Sequence, residues 1–126
     1  TQTLNFIVKD PNAENLVIKK LLNWPNPFTN KTFVQFEHNC DEILDVNVQI
    51  YTITGKLVRT ISTSVTSDPF LEGYRTNRPA IEWDGNDDFG SPVGKGTYIY
   101  KVLVKSQNQE KCKGTASLVE KLVILK

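Results

Sequence analysis

The stretch Asp45-Val46-Asn47-Val48-Gln49-Ile50-Tyr51-Thr52-Ile53-Thr54-Gly55-Lys56-Leu57-Val58-Arg59-Thr60-Ile61 decides the fold. Val46, Val48 and Ile50 alternate with Asn47, Gln49 and Tyr51. That period of two belongs to a strand with one buried and one wetted face. Thr54-Gly55 then supplies a turn, and a second β-rich run follows at once, so the stretch predicts a β-hairpin.

The same pattern extends outward in both directions. Residues 32–38 set Val34 and Phe36 on one face and Gln35 and Glu37 on the other. Residues 97–104 set Tyr98, Tyr100, Val102 and Val104 against Ile99 and Leu103, and Ile81 and Trp83 share a face within residues 80–83. Residues 4–8 are a further strand-like run. Residues 118–125 are apolar on both parities, Leu118, Leu122 and Ile124 on one and Val119, Val123 and Leu125 on the other. The second face is therefore either covered by the 4–8 strand or left for a partner. Residues 16–22 have a composition that suits a helix, but Trp24-Pro25-Asn26-Pro27 follows. Proline and the residue before it both leave the α region, so a strand is predicted there. Seven or eight short strands, with no amphipathic run long enough for a helix, point to an all-β antiparallel sandwich or barrel. Its expected core is Val34, Phe36, Val46, Val48, Ile50, Ile81, Trp83, Tyr98, Tyr100 and Val102. Residues 62–79 are read as an irregular crossover between two sheets, with Phe70 or Tyr74 plugging its edge.

The 126 residues suffice for one domain, and at this size a single core is feasible without metal. A net charge of +1 argues against nucleic acid, which calls for a basic surplus on one face. No apolar run approaches the roughly 20 residues that span a bilayer. The chain opens directly on strand-like Leu4-Asn5-Phe6-Ile7-Val8 rather than on a signal peptide, which suggests a fragment whose export signal lies upstream or has been cleaved. Cys40 and Cys112 both fall near strand ends. They either meet in an oxidising compartment or remain two partly buried thiols.

Residues with reactive potential are few. His38 is the sole histidine and sits at a strand end with inward parity, which suits a hydrogen-bonded structural residue better than a base. The motifs of nucleophilic catalysis and phosphate binding are missing, so no catalytic residue, cofactor or small-molecule ligand is expected. Asp84, Asp87 and Asp88, with Asn86, offer oxygens for calcium, but their spacing is not that of an EF-hand loop. Backbone-bonding turns in which Gly85 and Gly90 take positive φ are the favoured reading. Trp24, Trp83 and the tyrosines would suit a carbohydrate platform only if they stood exposed in a row.

Five motifs in order carry a family resemblance. They are Asn23-Trp24-Pro25-Asn26-Pro27-Phe28, Ile50-Tyr51-Thr52-Ile53-Thr54-Gly55-Lys56-Leu57-Val58, Ile81-Glu82-Trp83-Asp84-Gly85, Gly96-Thr97-Tyr98-Ile99-Tyr100 and the closing Glu120-Lys121-Leu122-Val123-Ile124-Leu125-Lys126. Together they resemble the C-terminal sorting domains of Bacteroidetes type IX secretion, with Trp24 where tyrosine is commoner. The resemblance implies an immunoglobulin-like sandwich over residues 21–126, with residues 1–20 as linker or first strand from an upstream domain. It implies a non-catalytic targeting and docking role for a parent exported across the outer membrane to the cell surface. Within the family the wording is nearest a gingipain-like cysteine-peptidase sortase. The alternatives are a cargo adhesin or hydrolase, or a carbohydrate-binding accessory module. The implied partner is an outer-membrane β-barrel, PorV-like. The expected docking residues are Lys121, Leu122, Val123, Ile124, Leu125 and Lys126, framed by the turns at Pro25, Asn26, Pro27 and Phe28 and at Gly55. Trp83, Asp84, Gly85 and Gly96 are the remaining motif positions.

Overall fold

The computed structural model describes residues 14–66, the backbone of Tyr74–Arg75, and residues 81–125. They form β1 (Glu14–Asn15), β2 (Ile18–Trp24), β3 (Thr32–His38), β4 (Leu44–Thr52), β5 (Leu57–Val65), β6 (Tyr74–Arg75), β7 (Glu82–Trp83), β8 (Gly96–Ser106), β9 (Cys112–Lys113) and β10 (Thr115–Ile124), with no helix among the described residues. One sheet runs β10-β8-β4-β5; the other runs β2-β3-β6, with β7 also on β3. Pairing within both sheets is antiparallel, and a short parallel pair, β1-β9, stands beside them. Of the sandwich or barrel that the alternation left open, the fold is the sandwich, immunoglobulin-like as the resemblance implies. The strand count exceeds seven or eight because β1, β6 and β9 are two-residue pairings too short to show periodicity.

All ten residues expected in the core are buried, from Val48, Ile81, Tyr100 and Val102 at 0% to Tyr98 at 8%. Each fully buried aliphatic or aromatic side chain contributes roughly 1.5–3 kcal/mol. Two expectations need correction. Residues 62–65 are not irregular: β5 continues through them, with Ser62 and Ser64 exposed and Val65 buried opposite Leu44. Serine and threonine disguise the strand because one of its faces is wet. Glu37, expected on a solvated face, is buried at 8% exposure, with its carboxylate 3.6 Å from Lys20 Nζ. A charge this buried persists only when paired. The chain does cross between sheets after β5, since β6 pairs with β3. The side chains of Phe70 and Tyr74, the strand expected over residues 4–8, Ala80 and Lys126 all lie outside the described residues. The expected linker–domain junction after residue 20 falls inside β2, and Leu16 and Ile18 are already core.

Candidate functional site at the terminal strand

The five motifs, spread over about a hundred residues of chain, converge on one end of the sandwich. The Phe28 ring meets Trp83 edge-on at 5.6 Å, and Trp83 meets Tyr98 edge-on at 6.2 Å. Such edge contacts add about 0.5–1.5 kcal/mol each beyond burial. The Tyr98 hydroxyl donates to the Gly94 carbonyl at 2.7 Å, and Trp83 Nε1 donates to the Asn86 carbonyl at 2.8 Å. Tyr98 is in register with Thr52 on one side and Leu122 on the other, so the Gly55 hairpin tip and the end of β10 share this end. The tip closes through Gly55 N–H to Thr52 O at 2.9 Å, with Gly55 at φ 95°.

Here the Pro25-to-Phe28 turn, whose prolines both follow cis peptide bonds, is stitched along the outer edge of β10. Phe28 N–H donates to Val123 O at 3.0 Å, and Leu125 N–H donates to Phe28 O at 2.8 Å. Between them the Asn26 side chain imitates a strand: Oδ1 accepts Val123 N–H at 3.0 Å and Nδ2 donates to Lys121 O at 3.4 Å. The turn is anchored behind by buried Thr32, whose hydroxyl donates to Pro25 O at 2.7 Å while accepting from Asn23 Nδ2 at 3.1 Å. The motif therefore caps the edge that would otherwise offer free peptide groups to a neighbouring chain.

The expected docking residues divide into two sets. Leu122 and Ile124 are core, 1% exposed each. Lys121, Val123 and Leu125 point away from it, and Leu125 is 54% exposed. Val119, on the same outward side, is 56% exposed.

The acidic turn does not gather into a cation cage: among the described residues the three aspartates do not converge. Asp84 Oδ1 accepts Asn86 N–H at 3.0 Å, and Asp87 Oδ1 accepts the N–H groups of Phe89 and Ser91, both at 2.9 Å. Asp88 bonds the β5 edge, accepting Thr60 N–H at 3.0 Å and donating its own N–H to Val58 O at 3.0 Å. The guanidinium of Arg59 occupies the middle, 3.5 Å from Asp84, 3.9 Å from Asp88, and within hydrogen-bond reach of the Asn86 and Asp87 carbonyls. Gly85 and Gly90 take positive φ, 78° and 85°, as the turn reading expects. Arg59 carried no signal in the sequence beyond its inward parity on β5.

Cys40 and Cys112 form a disulfide across a sequence separation of 72 residues, with Cα atoms 5.8 Å apart. Glu42 beside it clamps the following loop, accepting the Lys111 N–H at 2.9 Å, the Ser106 hydroxyl at 3.0 Å and the Cys112 N–H at 3.3 Å. Burial pushes the Glu42 carboxyl up, but these hydrogen bonds outweigh it and hold the carboxyl below its ordinary range. His38 is 4% exposed, stacks near Phe36 at 5.9 Å and accepts the Cys40 N–H on Nδ1 at 3.1 Å. Burial is the dominant cause and lowers its pKa to about 4. An imidazole held neutral and bonded to backbone is a structural group. Among the described residues no sugar-binding row is assembled either. Trp83, Tyr98 and Tyr100 are buried, while Trp24 and Tyr51 lie on the outer faces of opposite sheets.

These observations define the class: an immunoglobulin-like sandwich whose signature motifs gather at one end, where the Pro25-to-Phe28 turn holds the last strand. Residues 23–70 match the family model for the secretion system C-terminal sorting domain. The fold superposes on the crystal structure of dimeric latent PorU from Porphyromonas gingivalis with a TM-score of 0.67 and 25% identity, over 90% of this chain. The resemblance to PorU-like type IX sorting domains thus holds in sequence over the first half of the domain and in fold over nearly all of it. This chain spans only 10% of that PorU chain. BslA, a bacterial hydrophobin, aligns over 91% of this chain and 97% of its own at 12% identity, but a TM-score of 0.31 carries no argument. No curated protein matches in sequence.

Proposed function

We propose that this chain is the C-terminal sorting and docking domain of a type IX secretion substrate, non-catalytic itself, which directs its parent across the outer membrane and holds it at the cell surface. Residues 14–125 act as one folded unit, preceded by the run-in from an upstream domain. The parent is a gingipain-like sortase related to PorU, and the partner is an outer-membrane β-barrel of the PorV kind. The supporting observation is the use made of the motifs: Phe28, Trp83 and Tyr98 form one aromatic cluster that locks β10 in place. A motif set spent on presenting a terminal strand suits a signal read as a folded object.

The experiment is a reporter fused to the N-terminus of this chain and expressed in a bacterium with type IX secretion. The reporter should become accessible to protease on intact cells, whereas a fusion lacking the chain stays periplasmic. Equal retention of both fusions would refute the reading. Trimming residues 121–126 is a test of the folded unit only, because it removes core Leu122 and Ile124.

A further inference from the structure

The edge of β10 is occupied from Lys121 to Leu125 by Asn26 and Phe28, so strand addition there would have to evict a turn held by four hydrogen bonds. What β10 leaves open along that stretch is its face. Register aligns the outward residues of the four-stranded sheet in rows: Lys121 beside Ile99, Val119 beside Lys101, and Thr115 beside Lys105 and Asp45. On β8 and β10 the outward side chains are aliphatic, hydroxylic or lysine, with no acid. Toward β5 the face turns neutral and polar through Asn47, Gln49, Ser62 and Ser64. Its one acid among the described residues, Asp45, is engaged by Gln107 Nε2 at 2.8 Å and the Ser64 hydroxyl at 3.0 Å. Lys105 and Lys121 are exposed and Lys101 partly so, and none of the three makes an ion pair among the described residues. The face also holds a hollow of about 450 Å³ bordered by Asn47, Ser62, Leu103 and Lys105.

We propose that the β8–β10 half of this outer face, centred on Lys101, Val119 and Lys121, is the surface that docks a partner protein presenting a patch of acidic and aliphatic side chains. This deepens the sorting-domain reading and rests on it. Lys101 and Lys121, which make no ion pair among the described residues, interleave with aliphatic side chains and set both the sign and the apolarity of the complement. Lysine side chains at such a rim steer encounter, so charge reversal acts on capture more than on folding.

The test compares three reporter fusions: the unaltered chain; Lys101→Glu/Lys105→Glu/Lys121→Glu; and a control, Lys19→Glu/Lys31→Glu/Lys113→Glu, which reverses as many charges away from the face. Melting of the purified chains establishes that each variant is folded. A variant that melts earlier is replaced by the triple Lys→Gln form. The expected result is at least tenfold less surface-accessible reporter for the face variant, with the control exported like the unaltered chain and the triple Lys→Arg form restored. Equal export of face variant and control overturns the docking face and leaves the sorting reading intact. Failure of the unaltered fusion to be exported overturns both. Binding of the purified chain to phosphatidylglycerol vesicles, lost in the face variant, assigns the face to anionic lipid and overturns a protein partner.

Discussion

Replacing Asn26 by alanine isolates the contact between the Pro-Asn-Pro-Phe turn and the terminal strand. The side chain makes two hydrogen bonds to β10, one to Val123 N–H at 3.0 Å and a longer one to Lys121 O at 3.4 Å. Each is exposed, so at about 0.5–1.5 kcal/mol apiece, with the longer bond at the low end, the loss is roughly 1–2 kcal/mol. It falls on one local contact, because Phe28 N–H to Val123 O and Leu125 N–H to Phe28 O remain. Amide hydrogen exchange read by NMR is the suitable assay. Exchange at Val123 should quicken by roughly 5- to 30-fold, the factor equivalent to that energy. Amides of β10 that face β8 should keep their protection. Asn26→Asp keeps the acceptor for Val123 and should fall between. Unchanged protection at Val123 would refute the claim that Asn26 caps the strand.

Three other outcomes follow from the same structure. Reducing the Cys40–Cys112 bond, or replacing both cysteines by serine, should cost about 4 kcal/mol in the chain-entropy picture, read as an earlier denaturant midpoint; an unchanged midpoint contradicts the bridge. His38 is lowered from 6.5 to about 4 in the folded state, so the unfolded chain takes up a proton first as pH falls. The stability from burying neutral His38 is complete above pH 6.5 and drains away between 6.5 and about 4, amounting to about 3 kcal/mol. Its ring should still titrate as neutral at pH 5.5 by NMR, and a normal titration near 6.5 would contradict this burial. The Tyr100 hydroxyl is buried without a hydrogen-bond partner among the described residues, and burial, with the charge of Glu120, pushes its pKa up. Tyr100→Phe should therefore leave stability unchanged or raise it by up to about 1 kcal/mol, and a loss beyond that would show that the hydroxyl is satisfied.

Period-two alternation made β3, β4 and β8 legible because each buries one face and wets the other. The same signal located the whole expected core. It failed where polarity hid a strand, as at Ser62 and Ser64, and where a pairing was two residues long, as at β1 and β9. Contacts between distant residues left no local trace. Nothing near Cys40 indicates Cys112, nothing near Glu42 indicates Lys111, and nothing in the acidic turn indicates that Arg59 fills it. The terminal strand was legible as apolar on both parities. The reason was not: one parity is core, and the other forms an open outer face beside an edge already capped.

The central claim, that the folded terminal strand meets another protein through its outward face, is tested most directly by a photo-crosslinking residue in place of Val119 in the exported fusion. The account predicts an adduct with an outer-membrane protein from Val119, and none from the same residue placed at Val17. Surface display of the fusion without any protein adduct from Val119 would contradict it.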